Sequence, residues 1–169
     1  EMSREIERKF SVESSSAPDD LDKNPVSRIS QGYLTVEKNW EIRVRRQGKV
    51  CFLTVKQGSG MVRKEREIRL TEQNFNKLWP LTEGRRIEKN RFVLPHGVYR
   101  IELDVYKGGL EGLVTAEVEF PSEEESEKFD PPSWFGKDIS EDEGFKNKNL
   151  AVFGLPGQWG KRNRRKRHG

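Results

Sequence analysis

The stretch Glu5-Ile6-Glu7-Arg8-Lys9 sets two carboxylates and an ammonium at alternate positions. In an extended strand successive side chains point to opposite faces, so Glu5, Glu7 and Lys9 share one face and Ile6, Arg8 and Phe10 share the other. Carboxylate oxygens suit a hard divalent cation, and lysine is a common point-charge partner for phosphate. Taken alone, the stretch fits a solvated strand face of alternating charge equally well, because so short a motif often matches by accident.

The same i, i+2 pairing recurs downstream. Alternation puts Arg43 with Arg45, Thr54 with Lys56, Glu65 with Glu67, Lys89 with Arg91, Glu102 with Asp104, and Glu117 with Glu119. Opposite them lie Ile42 and Val44, Leu53 and Val55, Ile101, Leu103 and Val105, and Val114, Ala116, Val118 and Phe120. Two architectures fit this pattern. An open sheet would pack its apolar face on helices and turn its charges to water. A closed barrel would turn its apolar face outward against covering helices and line its interior with charge. Burying so many charges is costly unless they and a ligand neutralise one another. The near balance of acids and bases matches metal ions on the carboxylates together with phosphates on Lys and Arg.

Eight strands must carry these pairs. Alternation and turn residues place them at about 4–10, 28–37, 40–46, 50–56, 62–70, 84–94, 98–106 and 112–120. Short connections at 47–49, 95–97 and 107–111 make the neighbouring strands antiparallel hairpins. Residues 13–27, rich in Ser, Pro, Asp and Asn, read as a loop. Thr71 can cap a helix that runs to Trp79 and stops at Pro80, and Ser122 with Glu125 forms a capping box for another. Residues 130–149 read as irregular, with a last helical turn near 147–153.

A chain of 169 residues suits one domain. Apolar residues make up only 32 % and charged residues 36 %, so the core is thin or some charge lies inside. The net charge of +4 resides in the tail Lys161–Gly169, whose six basic residues leave 26 basic against 28 acidic in the rest. Such a tail reads as a solvated end that attracts polyanions without sequence specificity. Cys51 is the only cysteine, which excludes an internal disulfide and suggests a reducing compartment. No apolar run approaches a membrane span and no signal-peptide pattern opens the chain, so a cytoplasmic location is expected. His96 and His168 have no partner at metal-ligand spacing, Cys51 falls on the apolar face, and Trp79, Trp134 and Phe135 read as sheet-covering residues.

The opening Glu5-x-Glu7-x-Lys9 resembles the ExExK motif of the CYTH domain, or triphosphate tunnel metalloenzyme, family. Further matches follow in order: Gln31-Gly32-Tyr33-Leu34, Arg43-x-Arg45, Thr54-Val55-Lys56, Glu65-x-Glu67, Lys89-x-Arg91, Glu102-Leu103-Asp104, Ala116-Glu117-Val118-Glu119-Phe120 and Phe145–Ala151. The resemblance runs from about residue 3 to 153, and it is the ordered set that is specific. It implies an α+β, mainly β domain over residues 1–157: an eight-stranded antiparallel closed barrel with a charged interior and covering helices. The basic tail at 158–169 lies outside the match. The resemblance implies Mg2+ or Mn2+ held by Glu5, Glu7, Glu117 and Glu119. Lys9, Arg43, Arg45, Lys56, Lys89 and Arg91 would bind phosphate, and Glu65, Glu67, Glu102 and Asp104 would form a second tier.

The activity so implied is hydrolysis of a triphosphate, first of all inorganic triphosphate to pyrophosphate and phosphate, with Glu7, Glu119 and Lys9 as catalytic residues. Adenylate cyclisation, thiamine or nucleoside triphosphate hydrolysis, and non-catalytic polyphosphate binding are the alternatives. Tyr33 and Trp40 are candidates for selecting an organic group. The expected partner is a small triphosphate, with no membrane and no specific nucleic acid; a homodimer stays open.

Overall fold

The computed structural model describes residues 5–58 and 64–157. The basic tail expected at 158–169 lies outside the described residues. In chain order the strands are β1 (Glu7–Ser11), β2 (Val26–Val36), β3 (Trp40–Gln47), β4 (Val50–Gln57), β5 (Lys64–Leu70), β6 (Arg86–His96), β7 (Tyr99–Tyr106) and β8 (Val114–Glu119). Helices α1 (Glu72–Leu78), α2 (Glu123–Lys128) and α3 (Asn147–Phe153) follow β5, follow β8 and end the described chain. The first two are capped as their sequences require: Thr71 Oγ1 accepts from the Asn74 N–H at 3.1 Å and Ser122 Oγ from the Glu125 N–H at 3.2 Å. No helix among the described residues is long and apolar enough to cross a membrane.

All eight strands form one antiparallel sheet in the order β1-β8-β7-β6-β2-β3-β4-β5. The expected closed barrel is not formed, because β1 and β5 are edges and do not pair. The reason lies in the chain after α2. Gly136 N–H donates to the Ser11 carbonyl at 2.7 Å, Ser11 N–H to the Lys137 carbonyl at 2.9 Å, and Ile139 N–H to the Lys9 carbonyl at 2.8 Å. Ser140 Oγ accepts from the Lys9 N–H at 2.9 Å. The irregular segment 136–140 therefore uses the backbone groups through which β1 would close on β5. β5 is left exposed along most of its length, and its alternating Lys64, Glu65, Arg66, Glu67 and Arg69 discourage edge-to-edge association.

Apolar side chains cover the outer face in two places. Phe10, Leu94, Ile101, Leu103, Ala116, Val118 and Phe120 form one buried cluster with Phe129, against which Trp134 and Phe135 pack. On β3 and β4, Val44 and Cys51 pack with Phe75 of α1, with Leu53 and Trp79 beside them. Gly32 is the close approach that lets the turn after α1 settle on β2: a Cβ there would come within 2.4 Å of Thr82 Oγ1. Gly32→Ala is expected to cost about 1–3 kcal/mol through overpacking, read as a lower denaturant midpoint at unchanged slope.

The inner face carries the charge. A third apolar cluster, in which Tyr33, Ile87 and Tyr106 meet Ile139, Phe145, Leu150 and Ala151, lets the 139–151 segment and α3 pack over part of that face. Several boundaries differ from expectation: β2 begins two residues early at Val26, inside the stretch expected as loop, and β6 and β8 begin two residues late at Arg86 and Val114. β6 continues through Pro95 and His96, so the turn is shorter and centres on Gly97, whose φ of 60° a glycine adopts without strain. β1 begins at Glu7, which leaves Glu5 just ahead of the hydrogen-bonded strand.

Candidate active site

The inner face curls around a cavity of about 1070 Å3 lined by residues from both edges of the sheet. Glu5, Glu7 and Lys9 come from one edge, Glu117 from β8, Tyr33 from β2, Glu41 and Arg43 from β3, Lys56 from β4 and Glu65 from β5. The edges thus meet through side chains where their backbones do not. Lys56 Nζ lies 3.9 Å from Glu5 Oε2, and the Glu5 and Glu65 carboxyls share a hydrogen bond.

The acids crowd one another. Glu7 faces Glu119 in register and hydrogen-bonds diagonally to Glu117. Its carboxyl is pushed up to about 8, first by burial among protein atoms, then by the charges of Glu117 and Glu5. Glu7 nonetheless keeps exposed surface and lines the groove. Burial also raises Glu5, Lys56 opposes that rise, and Glu65 adds to it. These carboxylates hold more negative charge than the neighbouring Lys56 offsets. A divalent cation would relieve this repulsion, and their oxygens are the donors a hard cation takes. Among the described residues no three acids, histidines or cysteines converge on a ready-made metal site. The oxygen donors present are of the chemical type that a hard divalent cation takes.

Deeper along the same face the cations gather. Asp104, fully buried, accepts from Lys89 Nζ at 2.8 Å and from Arg91 Nε at 2.8 Å and Nη2 at 3.0 Å. Arg91 Nη1 also reaches Glu102 at 2.6 Å. Burial works against the charge of Asp104, but Lys89 and Arg91 outweigh it and hold the carboxyl well below its usual range. Burial lowers Lys89 to about 8 in spite of Asp104, with Arg91 and Arg45 pushing the same way. Arg45 has no carboxylate bonded to it: its Nε donates to Gln31 Oε1 at 2.7 Å, and Gln31 Nε2 donates to the Tyr33 hydroxyl at 2.7 Å. Burial, then Arg43 and Arg91, lower it to about 10. Arg43 has Tyr33 and Glu41 beside it, while its buried Nε has no hydrogen-bond partner among the described residues. Arg43, Arg45 and Arg91 thus stand near one another on this face, Arg91 countered by Asp104 and Glu102 and Arg43 by Glu41, and guanidinium groups so placed are of the type that pairs with phosphate oxygens.

The expected residues fall into three groups. Glu5, Glu7, Lys9, Arg43, Lys56, Glu65 and Glu117 line the cavity together. Arg45, Lys89, Arg91, Glu102 and Asp104 form the deeper cluster, where Lys89 and Asp104 are sealed from solvent. Glu119 and Glu67 are exposed and are not among the lining residues, and Glu67 accepts from Thr54 Oγ1 at 3.2 Å. Lys9 is anchored as well as inward: it is buried, and its Nζ donates to the Phe145 carbonyl at 2.7 Å, which leaves two of its three N–H groups for the cavity.

Sequence reasoning passed over Glu41, which stands 3.7 Å from Arg43, and the wall made by Ser140, Phe145, Lys146 and Lys148. Glu41 was legible as the residue two before Arg43 on the same strand face. The wall was not, because Ser140, Phe145 and Lys146 follow no strand or helix period and the position of α3, which carries Lys148, over the inner face is set by packing.

A second cavity of about 590 Å3 adjoins the first and shares Glu41, Lys56, Lys146 and Lys148 with it. Trp40, 43 % exposed, forms part of its wall.

No protein-family profile matches the chain. The chain is 46 % identical over 152 residues to the inorganic triphosphatase of Nitrosomonas europaea, a match covering 88 % of this chain and 97 % of that one. It is 36 % identical over 152 residues to the inorganic triphosphatase of Acetivibrio thermocellus, covering 89 % and 94 %. Its structure resembles the crystal structure of an inorganic triphosphatase with a TM-score of 0.71 at 42 % sequence identity, over 92 % of this chain and 99 % of that chain.

Proposed function

The chain belongs to the CYTH, or triphosphate tunnel, family, and on that footing we propose that it hydrolyses inorganic triphosphate to pyrophosphate and phosphate with Mg2+ or Mn2+. The observation that carries this reading is the meeting, in one cavity, of a mutually repelling acid set on Glu5, Glu7 and Glu117 with the cations Arg43 and Lys56. Each half lacks what a metal–triphosphate complex supplies.

Arg43 and Lys56 bind phosphate oxygens at the cavity wall, and Arg45 and Arg91 extend the cationic row inward. Gln31 fixes the Arg45 fork and Asp104 fixes that of Arg91, so both side chains are oriented before substrate arrives. Glu7 and Glu117, with Glu5 beside them, would hold the divalent ion. When bound, that ion offsets charge on phosphate oxygens and lowers the pKa of a coordinated water. Water attacks the terminal phosphorus and releases a proton to the solvent of the groove, the bond to the bridging oxygen breaks, and its electron pair leaves with pyrophosphate. Lys9, held by Phe145, stabilises negative charge at the acid end of the cavity. Glu119 extends the acid row to the exposed end of β8.

The second cavity favours an organic triphosphate as the other reading, since Trp40 offers an aromatic surface beside Lys56 and Lys146. Phosphate release from inorganic triphosphate, ATP, thiamine triphosphate and long polyphosphate, each with Mg2+ and with Mn2+, separates the two. The expected order puts inorganic triphosphate first by at least tenfold. Preference for ATP or thiamine triphosphate would move the assignment to the second reading.

A further inference from the structure

Glu41 has a position that hydrolysis alone does not require. It lies on β3 opposite Lys56 in register, and its Oε2 stands 3.7 Å from Arg43 Nη1, with both side chains only 12 % exposed. That separation exceeds a hydrogen bond, so the carboxylate neutralises the guanidinium without capping its donors. The buried Arg43 Nε has no hydrogen-bond partner among the described residues, Tyr33 bonds the side chain, and the residue lines the cavity. Glu41 also lies at the junction of the two cavities. Any phosphate gripped by Arg43 must sit close to this fixed negative charge and be repelled by it.

We infer that Glu41 is a positioning and specificity residue: it holds the Arg43 fork toward the cavity while weakening its grip, so that the pyrophosphate product leaves. The inference rests on the proposed hydrolysis of triphosphate. Its physical logic is that cations gripping substrate and product alike lower KM without raising turnover. A counter-charge beside the outermost arginine removes part of that uniform binding. Substrate, with one more phosphate, still reaches the deeper cations Arg45 and Arg91. The shorter product depends more on Arg43 and Lys56.

The test is the affinity of the full chain for pyrophosphate in Mg2+, measured by calorimetry and as an inhibition constant, for wild type and Glu41→Gln. Glu41→Gln is expected to bind pyrophosphate about fivefold more tightly, the scale of one partly screened charge pair. The KM for triphosphate falls with it and kcat does not rise. In an Arg43→Gln background the same substitution has no effect, an outcome that a merely structural role for Glu41 would not give. Affinity unchanged within twofold, weaker affinity, or an equal change without Arg43 would each overturn the inference. If Glu41→Gln does not fold, Glu41→Ser makes the same comparison. Calorimetry reads Glu41 whether or not triphosphate is the substrate, whereas absence of triphosphate turnover in wild type would remove the proposed function alone.

Discussion

Asp104→Asn is expected to destabilise the protein by about 3 kcal/mol, the scale of breaking a buried ion pair by removing one partner. For a chain of this size that lowers the midpoint of thermal unfolding by roughly 6–12 °C. Asp104 is sealed from water and bonds Lys89, whose side chain is fully buried. Asparagine keeps the shape but gives Lys89 and Arg91 no counter-charge. Lys89→Met combined with Asp104→Leu should recover most of the loss, because a well-packed apolar pair avoids the desolvation of both ions. The pH dependence has a definite sign. The folded carboxyl lies below its unfolded value of 3.8, so its contribution is present above that value and is lost as pH falls through and beneath it. Lys89 acts in the other direction at the alkaline end. Its folded value of about 8 lies below the ordinary 10.5, so the unfolded chain binds more protons between these values and stability from this group rises with pH across that window. Chemical denaturation at pH 3, 7 and 9 reads both trends.

Glu7→Gln is expected to lower triphosphate turnover at least about 100-fold without weakening the fold, since it removes a metal-facing charge and keeps the shape. Burial, then crowding by Glu117 and Glu5, puts the folded value of Glu7 at about 8, above the ordinary 4.5. The folded chain therefore binds more protons between these values. The stability that this group contributes is present below the unfolded value and is lost as pH rises toward 8. Solvent in the groove screens the effect and makes the slope shallow. The glutamine variant lacks that slope, so in metal-free buffer near pH 8 it should be at least as stable as wild type. Loss of turnover together with unimpaired stability would assign Glu7 to chemistry; loss of both would make it a folding residue.

The regular parts of this chain were legible because their periodicity is strong. Alternation at Arg43/Arg45, Lys89/Arg91 and Glu102/Asp104 put the right residues on one face, and Thr71, Ser122 and the 147–153 turn were found where local chemistry demanded them. Closure of the sheet was not legible. It turned on Gly136, Lys137 and Ile139, whose backbone groups take the free edge of β1 although their side chains follow no strand pattern. The same segment explains Lys9: the residue type announced a phosphate ligand, but only the fold shows one of its donors held by Phe145. Glu41 escaped because an acid beside an arginine on a strand is ordinarily a surface pair. Its meaning comes from burial and from the cavity around it, neither of which alternation encodes.

The most direct test of the central claim is phosphate release from inorganic triphosphate by the wild-type protein with Mg2+ or Mn2+, repeated in excess chelator and with Glu7→Gln. The account predicts one phosphate and one pyrophosphate per triphosphate consumed, with turnover lost on chelation and in the variant. No release with either ion, or equal release by wild type and Glu7→Gln, would contradict it.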